Sequence, residues 1–179
     1  MTMRRWSAMT VICVVLVAIT ITWFLAAMRA QMEVGGSCAT GGPYVVVAPC
    51  PEHSTALTLV GMFGSVFLAL AGTVSALSVG APNLVVPYWT ATSGGMAANF
   101  LVDGFTDDGG LVWGWIIAGV MMLVLFAIPG LYVMSPWQKI YDREPVKGAP
   151  LSRNAWWLVY LALAVIGVAI GSWTAYGWL

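Results

Sequence analysis

Charged residues are scarce in this chain of 179 residues, which holds seven Lys and Arg, seven Asp and Glu, and one His. They form 8% of the sequence, whereas soluble domains carry about a quarter. So little charge cannot provide a surface that water accepts, and we expect lipid to cover most of the protein. The formal net charge of zero provides neither a basic face for nucleic acid nor an acidic tail.

Residues that carry catalysis or bind metals are also scarce. Because His53 is the one histidine, the chain cannot build a zinc site or a bis-histidine haem from its own residues. Nucleophile arrangements, phosphate-binding loops and dinucleotide fingerprints are absent from the sequence. We therefore expect no catalytic residue, no cofactor, no metal and no small-molecule substrate, and we interpret the chain as a protein that is not an enzyme.

Long apolar runs dominate what the chain does contain, with 60% hydrophobic residues and a mean hydropathy of +0.89. A helix needs about 20 mostly apolar residues to cross the hydrocarbon core of a membrane. Four stretches meet this requirement. A fifth, 84–102, is uncharged but contains Pro87, Gly94, Gly95 and Asn99. The five candidate spans are 7–27, 56–79, 84–102, 111–134 and 155–178.

The distribution of basic residues favours five spans over four. If 84–102 crosses the membrane, six of the seven basic residues lie on the cytoplasmic side and Arg29 alone lies outside. Four spans would put most basic residues outside, against the positive-inside rule. We therefore predict an all-α bundle of five transmembrane helices over 1–179, with the N-terminus cytoplasmic and the C-terminus outside. The alternative is four spans with 84–102 as a re-entrant segment, which Pro87 and the glycine pair would suit.

Aromatic residues lie near the predicted span ends, where their rings favour the headgroup region. The residues expected to anchor the inner interface are Trp6, Trp137, Trp156 and Trp157. Those expected to anchor the outer interface are Trp113, Trp115, Trp173, Tyr176 and Trp178. We interpret both sets as interface anchors rather than as a ligand cage.

Two loops hold most of the polar residues. The first, 28–55, is predicted to be extracytoplasmic, and its Cys38 and Cys50 are expected to form a disulfide because the outer side is oxidising. A bridge that closes so short a loop stabilises a protein by about 3 kcal/mol in the chain-entropy model. The alternative is a redox-active thiol pair, although the spacing lacks the Cys-x-x-Cys pattern of such pairs. The second loop, 135–154, is basic and predicted to be cytoplasmic.

Small residues within the spans indicate close contacts between helices. Gly167 and Gly171 form a Gly-x-x-x-Gly pattern in the last span, and Gly61 and Gly64 do something similar in the second. Asn99 is a candidate for a hydrogen bond between helices. The sequence leaves open whether these faces contact the chain's own helices or those of a partner.

Two regions resemble small multipass membrane proteins of actinobacteria. The outer loop carries the first, in 38–44 (Cys-Ala-Thr-Gly-Gly-Pro-Tyr) and 49–51 (Pro-Cys-Pro). Segments 99–101 (Asn-Phe-Leu) and 111–115 (Leu-Val-Trp-Gly-Trp) are similar to that group as well. The resemblance implies a multipass protein of the cytoplasmic (plasma) membrane with the cysteine loop outside and a regular third span. It implies no activity.

These features lead to an expected function as a non-catalytic accessory or scaffolding subunit of a larger membrane protein complex. Other integral membrane subunits and membrane lipids are the expected partners. A respiratory assembly is one suitable host, because such complexes gather small subunits that hold no cofactor.

Two other functions stay open at the level of sequence. One is a small channel or lipid-binding module built around a kink between residues 87 and 99. Its cavity would be lined by Tyr88, Thr90, Thr92, Ser93 and Asn99. The other makes Cys38 and Cys50 a thiol-exchange pair.

Overall fold

The computed structural model describes residues 2–34, 49–106, 110–134 and 149–179. Within these ranges the chain forms five α-helices and no β-strand. The prediction of an all-helical protein is therefore confirmed for the described residues. The helices are α1 (Met3–Glu33), α2 (Ser54–Ser78), α3 (Val85–Thr106), α4 (Trp113–Met134) and α5 (Arg153–Trp178).

Three of these helices, α1, α2 and α5, are long and apolar enough to cross a membrane. α4 contributes a shorter apolar stretch, Trp113–Ile128. Helices of this length and composition, in a chain with so few charges, support a membrane protein.

Polar caps and a proline mark where two of the helices begin. At the start of α5, Ser152 Oγ accepts a hydrogen bond from the Ala155 amide at 3.3 Å. Just before α3, Asn83 Oδ1 accepts one from the Val86 amide at 3.2 Å. Pro87 lies in the first turn of α3, where its missing N–H breaks no helical hydrogen bond. α3 is one continuous helix over Val85–Thr106. The chain therefore stays helical through the segment between residues 87 and 99, where a kink was expected.

α1 lies at the centre of the bundle and contacts α2, α3 and α5, while α4 packs on α3. α2 runs antiparallel to α1, and α4 runs antiparallel to α3. The polar contacts that join α1 to α2 near their opposite ends are Thr10 to Ser75 (3.1 Å) and Gln31 to Thr58 (3.2 Å). The contacts that pair α3 with α4 are Trp89 Nε1 to the Leu125 carbonyl (3.0 Å) and the stacked rings of Phe100 and Trp115.

α3 and α5 both run in the same direction as α1. Leu84, just before α3, packs in a cluster with Cys13 in the first half of α1. Near the other end of α3, Asn99 Nδ2 donates a hydrogen bond to the Leu25 carbonyl at 2.9 Å. For α5, Tyr160 belongs to the Cys13 cluster. Near the far end of α5, Thr174 Oγ1 accepts a hydrogen bond from the Trp23 indole of α1 at 2.7 Å. From α1 to α5, each helix therefore runs in the direction opposite to that of the helix before it.

The largest buried cluster lies where α2 turns into α3. Trp156 is 2% exposed there and packs with Tyr160, whose ring lies 5.9 Å away. The prediction that Trp156 anchors the inner interface is wrong in this respect, because the start of α5 turns this indole toward α1 and the α2–α3 turn. The adjacent Trp157 is 41% exposed and has the accessibility that an interface anchor needs.

The opposite end of the bundle carries exposed aromatic residues. Trp113 at the start of α4 and Trp173, Tyr176 and Trp178 at the end of α5 are all exposed. Exposed aromatic residues at helix ends are typical of the belt where spans meet the headgroup region, and the role of these residues as outer anchors stays a prediction.

Parts of both predicted loops lie outside the described residues. α1 continues to Glu33, beyond the predicted end of the first span at Ala27, so 28–33 is helical rather than loop. Residues 35–48 and 135–148, which hold Cys38, Trp137 and most of the basic loop, lie outside the described ranges.

Candidate functional site

A groove runs along α1 between α3 and α5, and its volume is about 440 Å³. α1 forms its floor, and α3 and α5 form its two walls. This size lies within the range of ligand pockets. The residues that line it are Val14, Val17, Ala18, Ile21, Thr22, Leu25, Ala26, Arg29, Leu84, Pro87, Tyr88, Ala91, Asn99, Tyr160, Ala164 and Val168.

The groove has one closed apolar end and one polar end. Leu84 and Tyr160 close the first, where the Tyr160 hydroxyl donates to the Pro82 carbonyl at 2.8 Å and ties α5 to the α2–α3 turn. Arg29 and Asn99 lie at the other end. The distance along α1 from Val14 to Arg29 is about 22 Å at 1.5 Å per residue. This length is more than half the thickness of a hydrocarbon core, which is about 30 Å.

Between these ends the groove is almost entirely apolar. Its one threonine, Thr22, donates its hydroxyl to the Ala18 carbonyl of the same helix at 2.8 Å. The Asn99 amide is already engaged with Leu25. Few polar groups along the middle of the groove are left to bind water. This part of the groove therefore suits a hydrocarbon chain better than an ion.

The polar lining predicted for a cavity around α3 is only partly present. Tyr88 and Asn99 line the groove, whereas Thr90 lines a separate cavity beside α4, together with Phe126 and Trp157. Thr92 and Ser93 line neither cavity. Three hydroxyl groups on α3 donate to a carbonyl one turn earlier in the same helix, in the pairs Thr90 to Val86, Thr92 to Tyr88 and Ser93 to Trp89.

An ion-pair network marks the polar end. Arg29 Nε donates to Glu33 Oε1 at 3.2 Å on the same helix, and Arg29 Nη2 lies 3.8 Å from Asp103 Oδ1 on α3. Asp103 Oδ2 is buried and accepts no hydrogen bond from any described residue. Charged groups of α1 and α3 thus meet at Arg29, which lies at the polar end of the groove.

The glycines expected to mediate helix packing lie at contacts of α1 with its two long neighbours. A Cβ atom added to Gly61 of α2 would lie 2.7 Å from the Phe24 amide nitrogen. One added to Gly167 of α5 would lie 2.7 Å from the Val15 carbonyl oxygen. Gly171 is also tight, with Thr22 Cβ at 2.9 Å, whereas Gly64 has ordinary space beside Thr20, at 3.6 Å.

The glycine pair of α3 serves packing on two sides of that helix. A Cβ atom at Gly94 would meet the Phe126 ring of α4 at 2.9 Å. One at Gly95 would overlap the Leu25 side chain of α1. The pair therefore lets α3 approach α1 and α4 at once within a regular helix.

The cysteine predictions stay predictions. Cys38 lies outside the described residues, so the pairing of Cys38 with Cys50 has no geometry to describe. Cys13 is a free thiol, 5% exposed, and packs in the cluster with Val14 and Leu84. It serves there as a small apolar side chain.

Among the described residues no group of three or more His, Cys, Asp or Glu side chains is placed to hold a metal ion. His53 lies just before α2, where it adopts a φ of 60° and its ring nitrogen lies 3.7 Å from Glu52.

Comparison with protein-family models, with curated proteins and with solved structures finds no match for this chain.

Sequence reasoning did not identify the groove or its polar end. The available signal was a basic residue, Arg29, just after the first apolar run and an acidic residue, Asp103, just after the third. Two opposite charges at the ends of parallel spans come together if those spans are neighbours. The hydropathy pattern does not say which spans are neighbours.

Proposed function

We propose that the chain is a multipass protein of the plasma membrane with five transmembrane helices, the N-terminus in the cytoplasm and the C-terminus outside. The alternating directions of the helices support this topology. α3 also lies beside α1 from the Leu84–Cys13 contact to the Arg29–Asp103 pair. A re-entrant segment would return to its starting face instead of reaching the charges at the far end of α1.

Reporter fusions test this topology. A green fluorescent protein fused after Gly80 is expected to fluoresce, because that site lies in the cytoplasm. An alkaline phosphatase fused after Gly110 is expected to be active, because α3 has by then carried the chain outside. The reciprocal fusions serve as controls. An inactive phosphatase and a fluorescent protein at Gly110 would mean that α3 re-enters, and the five-span proposal would be abandoned.

The biochemical role that the geometry supports best is that of a non-catalytic lipid-binding membrane module. The single observation that carries this role is the groove along α1, which is apolar in its middle, closed at one end and charged at the other. A lipid has the matching form, since its acyl chain is apolar and its headgroup is polar. Water and ions would find no continuous polar path along the same surface, so a channel fits it less well.

An accessory or scaffolding subunit of a larger membrane complex is the second candidate, and a respiratory assembly remains a suitable host. The position of α4 favours it. In the part of the chain that the structure describes, α4 makes its main helix contact with α3. Its exposed large apolar side chains include Trp113, Ile117, Val120, Met121, Leu123, Val124, Phe126 and Ile128. Another membrane subunit would find a contact face there.

Native mass spectrometry of the tagged chain, purified in mild detergent from its own membrane, tests both roles. We expect the wild-type chain to retain one phospholipid. Ala164→Trp fills the groove and is expected to lose that lipid. Ala162→Trp is the matched control, because Ala162 is exposed on the same helix and does not line the groove.

Equal lipid retention in the two tryptophan variants, or none in the wild type, would refute the lipid-binding role. A stoichiometric partner protein on a lipid-free chain would then establish the accessory role in its place. A chain that carried neither lipid nor partner would contradict both.

A further inference from the structure

Among the described residues that line the groove, Arg29 alone carries a charge. Its two acidic partners, Glu33 and Asp103, do not belong to the lining. The Asp103 side chain is 16% exposed, whereas the Arg29 side chain is 45% exposed. A ligand in the groove therefore meets the guanidinium, and the two acids hold that group in place.

The guanidinium has hydrogen-bond donors that the fold does not use. Its Nε–H donates to Glu33 Oε1 at 3.2 Å, and this is its one hydrogen bond to a described residue. Nη2 lies 3.8 Å from Asp103 Oδ1, a distance that suits an ion pair but is too long for a hydrogen bond. The N–H groups on both amino nitrogens of Arg29 are therefore left to donate to a ligand.

Arg29 also lies where the headgroup of a bound lipid would be. The rings of Trp23 and Trp178 lie 5.6 Å apart at this end of the bundle, and such rings favour the headgroup region. Arg29 follows Trp23 by six residues on α1, which places it about 9 Å further along the helix at 1.5 Å per residue. A lipid with its acyl chain in the groove would thus bring its headgroup to the guanidinium.

We infer that Arg29 binds the phosphate of the lipid in the groove, so that the site takes phospholipids and discriminates against diacylglycerol, which has no phosphate. This inference rests on the proposed lipid-binding role. The planar guanidinium matches the oxygens of phosphate and can donate two parallel hydrogen bonds to them. The acyl chain then lies along α1 toward Tyr160.

Directed hydrogen bonds, rather than net charge, provide this discrimination. Asp103 offsets the charge of Arg29, and Glu33, whose side chain is 61% exposed, is screened by water and salt. Diacylglycerol has the same acyl chains as a phospholipid but offers Arg29 a neutral oxygen in place of a charged one. Hydrogen bonds between two charged groups are shorter and stronger than those to a neutral acceptor.

Lipid competition tests the inference on the full chain. The purified protein is stripped of lipid and incubated with equal amounts of phosphatidylcholine, phosphatidylglycerol and diacylglycerol that carry identical acyl chains. Native mass spectrometry then counts each bound form. We expect each phospholipid to exceed diacylglycerol by about tenfold, the ratio that one hydrogen bond to a charged group provides.

The variant that tests Arg29 combines Arg29→Gln with Asp103→Asn, because loss of the guanidinium alone would leave a carboxylate of low exposure without its partner. We expect phospholipid binding to fall about tenfold, to the level of diacylglycerol, with the helix content by circular dichroism unchanged. The matched control combines Arg5→Gln with Glu52→Gln. It makes the same change in charge at two exposed residues outside the groove lining and should keep the wild-type preference.

The possible results separate the phosphate inference from the lipid-binding role. Equal binding of diacylglycerol and the phospholipids by the wild type would overturn phosphate recognition and leave the lipid-binding role standing. A preference for only one of the two phospholipids would overturn it as well, since both carry the phosphate. A helical Arg29→Gln, Asp103→Asn protein with the full preference would exclude Arg29 as the phosphate ligand. Failure of the wild type to bind any of the three lipids would overturn the lipid-binding role itself.

Discussion

Replacing Gly61 with alanine is expected to lower the free energy of unfolding by about 2–3 kcal/mol, as overpacking of a close contact does. The new Cβ atom would lie 2.7 Å from both the Phe24 amide nitrogen and the Thr20 carbonyl oxygen of α1. Real Cβ atoms essentially never come within 3.0 Å of a heavy atom in another part of the structure. Both neighbours are backbone atoms, so no side-chain rotation relieves the overlap and α2 must move away from α1.

Gly64→Ala is the matched control on the same helix and the same interface. Its Cβ atom would lie 3.6 Å from the Thr20 methyl carbon, which is an ordinary van der Waals distance. We expect little change in stability there. Titration with sodium dodecyl sulfate in mild detergent, followed by circular dichroism, measures both variants. Equal losses in the two would contradict the role of the crowded Gly61 contact, because alanine at position 64 makes no overlap and is a better helix former than glycine.

Replacing Gly167 with valine is expected to separate α5 from α1, again at a cost of about 3 kcal/mol. A Cβ atom at this position would lie 2.6 Å from Ala18 Cβ and 2.7 Å from the Val15 carbonyl oxygen. Among the described residues α5 packs mainly on α1, so this contact holds most of the helix in place. Because Ala18 also lines the groove, displacement of α5 removes one wall of the groove.

This variant has two measurements that should change together. The unfolding titration should show the loss of stability, and native mass spectrometry should show loss of the retained lipid. Gly177→Val is the control, since nothing lies within 4 Å of a Cβ atom there. A stable Gly167→Val protein that keeps its lipid would mean that α5 is not a wall of the binding site.

Much of the architecture was accessible from the sequence. The five apolar stretches coincide with five helices, and the small residues expected at helix contacts lie against α1. Asn99 does hydrogen-bond to another helix, through the Leu25 carbonyl. These inferences worked because hydropathy and residue size are local properties that a helix displays wherever it packs.

The candidate site could not be predicted from the sequence in the same way. Arg29 and Asp103 are far apart in the chain, and only the parallel packing of α1 and α3 brings them within 3.8 Å. The groove also needs a gap between α3 and α5, which depends on the rotation of each helix about its own axis. Trp156 shows the same limit. Its position in the sequence predicts an interface anchor, but the side chain is buried because α5 turns it toward the bundle interior.

The helical class and the positions of the apolar segments follow from the amino-acid sequence alone. The low charge indicates a membrane protein, because a chain with so few charges cannot provide a surface that water accepts. Three-dimensional packing was needed to establish which helices are neighbours, which glycines are crowded, and where a charged pair lies at one end of an apolar groove. Those features depend on the register between helices, which is fixed by contacts between residues distant in the chain and leaves no periodic trace in the sequence.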